Sequence, residues 1–170
     1  MAHRISLRDY QRELAERLRD ADSARSASKL GVQVGAQGWL IDLVEAGEVI
    51  PVPAVTPVPL TRAWFRGVAN VRGNLYSVID FAAFLGAGAA TAGEQARLVL
   101  LGERFRSAAA LLVDRSLGLR NPAQLRAREP VGGHAAWLRA EYDDEAGGQW
   151  KELDVGQLVQ HEHFLSVGYS

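Results

Sequence analysis

The chain has 170 residues, about the length of one ordinary domain, with 48% hydrophobic and 23% charged residues, so wholesale disorder is excluded. Nineteen Lys and Arg stand against twenty Asp and Glu, which excludes a basic field able to grip nucleic acid by charge alone and equally a polyacidic tail. With no cysteine, disulfides, thiolate metal sites and thiol nucleophiles are excluded too.

The first expected element is an amphipathic helix. Leu7, Tyr10, Leu14, Leu18 and Ala21 recur every three or four residues as one apolar stripe, with Arg8, Arg12, Glu13, Glu16, Arg17 and Arg19 opposite. Ser6 can cap it, with Asp9 three residues on, and the polar stretch Asp22–Ser28 reads as a linker. Residues 1–28 are therefore taken as helix and linker, either docked on the rest of the chain or reaching for a partner. The segment MAHRISLRDYQ carries charge before any apolar run, unlike a cleaved signal peptide. The uncharged stretch Phe81–Gly93 is too short and glycine-rich to cross ~30 Å of hydrocarbon. The expected setting is the cytoplasm, without direct membrane insertion.

From Lys29 the pattern becomes many short apolar runs separated by Gly, Pro and Asn, as in an all-β domain. Expected strands are Gly31–Val34, Trp39–Leu43, Val49–Pro51, Gly67–Val71, Asn74–Asp80, Arg97–Leu101, Phe105–Val113, Ala136–Tyr142 and Gln149–Leu153. Gln37-Gly38, Arg72-Gly73-Asn74 and Gly147-Gly148 read as hairpin turns. Pro51, Pro53, Pro57 and Pro59 remove donors and fix φ, so Ile50–Leu60 is an extended connector, neither helix nor central strand. Phe81–Leu85 reads as a short helix with Asp80 near its cap. Gly86–Gly93 reads as a mobile loop dividing two β sets, hence two small lobes over residues 29–170.

Candidate chemistry is sparse. His161-Glu162-His163 places two imidazoles at a spacing usable for zinc, with His134 or Asp143–Glu145 as further ligands, or is simply a solvated helix end. Glu141, Asp143, Asp144 and Glu145 lack calcium-loop spacing and fit a charged hairpin tip. No G-x-S-x-G occurs, and Ser77, Ser116 and Ser166 have no evident His and acid partners. Gly31, Gly35 and Gly38 sit among strand residues without a phosphate-loop lysine. Arg62, Trp64, Phe65, Arg66 and Arg72 come closest to the basic and aromatic interleaving of a nucleic-acid surface, which the near-neutral charge disfavours. No catalytic constellation, cofactor cradle or resident metal is expected, which favours a binding module.

The segment Glu48–Gly86 is more informative. It carries Glu48-Val49, a proline-rich stretch closing on Thr56–Pro59, the turn Gly67-Val68-Ala69-Asn70-Val71-Arg72-Gly73, the strand end Val78-Ile79-Asp80 and Phe84-Leu85-Gly86. In this order these residues resemble the CheW-like coupling domain of bacterial chemosensory systems. Weaker echoes at Trp39-Leu40-Ile41-Asp42, Leu111-Leu112-Val113-Asp114 and Glu152-Leu153-Asp154 extend the resemblance from Lys29 to Val167.

The resemblance implies a mainly β fold of two intertwined SH3-like five-stranded β-barrels, here with the added N-terminal helix. It implies a non-catalytic adaptor without cofactors. Its expected partners are the regulatory domain of a chemosensory histidine kinase and the cytoplasmic tip of a methyl-accepting chemoreceptor. The added helix, with Trp137, Trp150 and Phe164 in the C-terminal half, looks most like the twitching-motility members of type IV pilus systems. A flagellar or other array is the alternative. Ser77 stands where many members have Pro, and Ala46 where they have an aliphatic residue, so the receptor-facing pocket is expected to be shallower or differently tuned.

The expected partner-binding residues are Val44, Ala46, Glu48, Gly67, Val68, Asn70, Arg72 and Gly73. Val44, Ala46 and Glu48 alternate on an expected strand, as an apolar patch edged by one acid or as core-facing residues. Gly73 can take φ > 0, so the chain reverses and Arg72 is presented outward, or is buried against Asp80 or Glu48. Asn70 and Gly67 would shape the same surface.

Overall fold

The computed structural model describes residues 28–90, 93–129 and 135–168. The expected helix at Leu7–Ala21 and its linker lie outside them, apart from Ser28. Among the described residues, twelve strands form two sheets of six. The first contains β1 (Lys29–Val34), β2 (Gln37–Asp42), β9 (Arg115–Arg120), β10 (Leu125–Arg128), β11 (Leu138–Asp144) and β12 (Gln149–Leu153), ordered β10-β11-β12-β2-β1-β9. The second contains β3 (Ala46–Pro51), β4 (Val55–Thr56), β5 (Phe65–Val71), β6 (Asn74–Asp80), β7 (Arg97–Leu101) and β8 (Ala109–Val113), ordered β3-β7-β8-β6-β5-β4. Short helices α1 (Phe81–Phe84), α2 (Val155–Gln160) and α3 (Glu162–Leu165) and two 3₁₀ turns, Glu103–Phe105 and Pro122–Gln124, complete the described elements.

Both sheets must be rolled. A flat six-stranded sheet separates its edges by roughly 24 Å at the usual strand spacing. Yet the edge strands β9 and β10 are joined by Asn121–Gln124 alone, whose five Cα steps span at most ~18 Å. The edges β3 and β4 are joined by residues 52–54, with a reach of at most ~14 Å. The expected five strands per lobe become six because one long course in each sheet is broken. Asn121-Pro122 and a 3₁₀ turn break the first, and Pro51 and Pro53 break the second.

The lobe boundary also moves. Strands β7 and β8 follow the Gly86–Gly93 segment yet pair with β3 and β6, so the lobes are not divided there. The chain starts in the first sheet, builds the second from 46 to 113, and returns. Parallel pairing of β2 with β12 makes the return concrete. The described part of the expected mobile loop is pinned, because the buried Asp80 carboxylate accepts from Ala90 N at 3.0 Å and from Ala83 N at 3.0 Å. The first hairpin turns at Gly35-Ala36, with Gly35 at φ +59°, and Gln37-Gly38 instead opens β2. Gly38 is needed there because a Cβ would stand 2.9 Å from the Trp150 ring. The expected strand from Phe105 begins only at Ala109, since a 3₁₀ turn and left-handed Arg106 (φ +50°) precede it.

The two sheets share one apolar core. Val32, Trp39 and Ile41 of the first pack with Val78, Phe81, Leu98, Leu111 and Val113 from the second lobe, all buried. Trp39 meets Phe81 edge-on at 5.2 Å between centroids. At the C-terminal end, Phe164 stacks on Trp64 and meets Phe84 edge-on, while Thr61 and Gly168 form a β-bridge. The last helices are thereby fastened onto the second lobe.

Candidate docking surface around Glu48 and Arg72

The β5–β6 hairpin turns on two residues with positive φ, Arg72 at +53° and Gly73 at +88°. This pattern matches the right-handed twist of the flanking strands. Asn70 Oδ1 accepts from Gly73 N at 2.9 Å and fixes the turn. Arg72 is thereby held outward. On β3 the pairing with β7 shifts between Ala46 and Glu48, leaving Gly47 as the extra residue of a bulge. The bulge breaks the expected alternation: Ala46 is buried, whereas Glu48 points to the surface.

Glu48 and Arg72 meet as a two-pronged ion pair, with Nη1 donating to Oε2 at 2.8 Å and Nη2 to Oε1 at 2.7 Å. Their side chains are 41% and 72% exposed, so the pair is a surface feature, unlike the buried alternative. Asp80 is not Arg72's partner, being occupied by α1, Ala90 and Arg66 Nη1 at 3.8 Å. The hydrogen bond from Arg72 holds the Glu48 carboxyl below the ordinary glutamate range, and the reciprocal bond raises the Arg72 guanidinium.

The other expected residues divide by role. Val44 lies in the β2–β3 turn and is 60% exposed. Val68 is half-buried and pairs with Ser77 and Thr56. Gly67 is buried at φ +129°, and any Cβ there would run into the Thr56 carbonyl, so its role is backbone approach between β4 and β5. Ala46 is buried and only 9% exposed.

Three features escaped sequence reasoning. Leu75 pairs with Asn70 beside the turn and is 63% exposed; the hairpin register, which puts it opposite a polar residue, is the signal that could have found it. A groove of about 420 Å³ is lined by Val52, Val55, Pro57, Phe65, Val78 and Leu112, so the proline-rich segment is also a wall. Glu45, next to exposed Val44, is buried and ion-paired to Arg104 and Arg139. Nothing local in the sequence announces partners 59 and 94 residues away.

The histidine segment is occupied structurally. His161 Nδ1 accepts from His163 N at 3.2 Å, its ring meets Trp137 at 4.6 Å, and His163 lies over Phe84 at 5.0 Å. No three His, Asp or Glu side chains converge as a metal site among the described residues, which do not include His134. In the acidic stretch, Asp144 accepts from Trp150 Nε1, Gly148 N and Ala146 N, which together hold its carboxyl low, the indole first. Glu141 pairs with Arg128 at 2.7 Å. These acids serve the β11–β12 hairpin and its neighbour β10. No described helix is long and apolar enough to cross a membrane.

Comparison with known proteins agrees with the mainly β, two-sheet fold. The family model of the CheW-like domain matches residues 29–163. The chain is 30% identical over 150 residues to Protein PilI of Pseudomonas aeruginosa, covering 86% of this chain and 83% of that protein. It is 36% identical over 90 residues to Protein FrzA of Myxococcus xanthus, covering 52% of this chain and 56% of that one. Among solved structures, the scaffolding protein TtCheW from Thermoanaerobacter tengcongensis aligns with a TM-score of 0.67 at 17% identity, over 81% of this chain and 90% of that chain.

Proposed function

The chain belongs to the CheW-like domain family, and from that premise we propose that it is an adaptor coupling a methyl-accepting chemoreceptor to a chemosensory histidine kinase. The kinase contact falls on its regulatory domain, the receptor contact on the cytoplasmic tip, and the pathway is twitching motility driven by type IV pili. The protein works by binding in the cytoplasm and performs no chemistry of its own. The observation that carries this reading is the convergence of Glu48 and Arg72, from distant strands, into one exposed two-pronged pair. Exposed Val44, Leu75 and the Asn70-fixed turn belong to the same segments. Such a surface offers apolar contact and directional charge without needing a long-range field, in keeping with a net charge of −1.

The test is a sedimentation experiment with a receptor cytoplasmic fragment and the kinase regulatory domain from the same organism. The two should co-sediment in a complex that includes this chain and fail to do so without it. Absence of binding to either partner would refute the adaptor reading. Preference for a flagellar receptor fragment over a pilus-associated one would move the protein to the alternative pathway.

A further inference from the structure

A charged cluster in the first sheet reaches the β2–β3 turn from behind. Arg139 on β11 donates through Nη2 to Glu45 Oε1 at 2.7 Å and through Nη1 to Glu152 Oε1 at 3.3 Å. It also lies 3.1 Å from Asp154 Oδ2. Glu45 and Glu152 side chains are only 6% and 3% exposed. Burial opposes the charge on Arg139, yet the bond and charge of Glu45, with those of Asp154, more than offset it and raise its pKa. Glu152 is further engaged by Lys29 at 2.9 Å and Tyr142 at 2.7 Å. Burial, and then the bond to Glu152, push the tyrosine hydroxyl up to about 12.

Glu45 is the point where this cluster touches the second sheet. Arg104, just past β7, reaches its carboxylate at 3.2 Å, and Val155 N at the start of α2 lies at 3.4 Å. Its carbonyl accepts from Gly102 N at 2.9 Å, and its own N–H closes the turn on Asp42 O at 2.8 Å. Asp42 Oδ1 meanwhile accepts from Val44 N at 2.9 Å. With Glu45 held inward from three elements, Val44 is left facing solvent and the chain enters the Gly47 bulge in one orientation.

We infer that Arg139 is a positioning residue for docking: through buried Glu45 it sets the β2–β3 turn that presents Val44 and leads to Glu48. The inference rests on reading the Val44–Glu48 segment as a docking surface. Removing the guanidinium leaves two buried carboxylates short of a partner, so the turn relaxes toward water even though the surface residues are intact.

The experiment compares full-length wild type, Arg139→Met, Arg139→Lys, Glu45→Gln and Arg72→Ala by backbone amide NMR, thermal melting and affinity for the kinase regulatory domain. Arg139→Met should shift the Val44 and Glu48 amides and weaken binding about five- to tenfold below its melting transition. Arg139→Lys should restore part of both effects. Glu45→Gln, which keeps the shape, provides the same readout at smaller size should Arg139→Met fail to fold. Unmoved Val44 and Glu48 amides, or unchanged affinity in the folded variants while Arg72→Ala binds weakly, overturns the inference alone. Unchanged affinity in every variant, Arg72→Ala included, overturns the docking reading together with it.

Discussion

Glu48 and Arg72 hold each other through two parallel charge-assisted hydrogen bonds in which the planar guanidinium matches the carboxylate. Lysine cannot reproduce that fork, so Arg72→Lys should behave as a partial loss in binding although it keeps the charge. The pH dependence follows from the direction of the carboxyl shift. Glu48 titrates below the ordinary glutamate value of 4.5 in the folded chain, so the pair's contribution is present above that value. It is lost only as pH falls through the lowered folded value. A carbon-13 titration of the Glu48 side-chain carboxyl should therefore have a midpoint below 4.5 in wild type, returning to ordinary range in Arg72→Ala. Equal midpoints in the two proteins would contradict the pair.

At the scale of elements, the hairpin β5–β6 and the strands β7 and β12 were legible because alternation and turn chemistry agree there. Asn74–Asp80, Arg97–Leu101 and Gln149–Leu153 have the boundaries expected. Strands β9 and β10 were missed because RSLGLR and LRAR are largely exposed edge pieces, with Gly118 at φ +77° interrupting the first. Strand β4 has only two residues, inside the proline-rich run. Edge strands gain their definition from the neighbour they pair with, which one sequence window does not contain. The elements of the candidate docking surface divide the same way: the resemblance singled out Glu48 and Arg72, but their pairing needs the rolled second sheet, and Ala46 is turned inward by a one-residue bulge. Gly67 gives the element-scale prediction. Gly67→Ala forces a side chain onto the Thr56 carbonyl at φ +129° and should cost about 2–4 kcal/mol in chemical denaturation. A loss within experimental error would show that β4 and β5 can separate freely.

Across the whole molecule, the chain leaves the first sheet after β2, completes the second, and returns to pair β12 beside β2. The two sheets are therefore tied by two crossings, by the shared core and by the Glu45 cluster, so a change in one is felt in the other. Phe81, fully buried where it meets Trp39 across the two sheets, is the core position to probe. Phe81→Ala should lose about 3–5 kcal/mol of stability. Unfolding of wild type should be a single transition for fluorescence and circular dichroism together; two separated transitions would mean that the lobes fold independently. On the proposed adaptor reading, a chain with a net charge of −1 would recognise partners through fitted contact, and the candidate docking surface would then depend on a few directional groups.

The proposed docking surface stands or falls on Arg72. Calorimetric titration of the kinase regulatory domain into wild type and Arg72→Ala, at equal salt and well below both melting transitions, tests it most directly. Binding should be about tenfold weaker in the variant, equivalent to roughly 1.4 kcal/mol, with the melting temperature nearly unchanged. Equal affinity in a folded Arg72→Ala protein would contradict it.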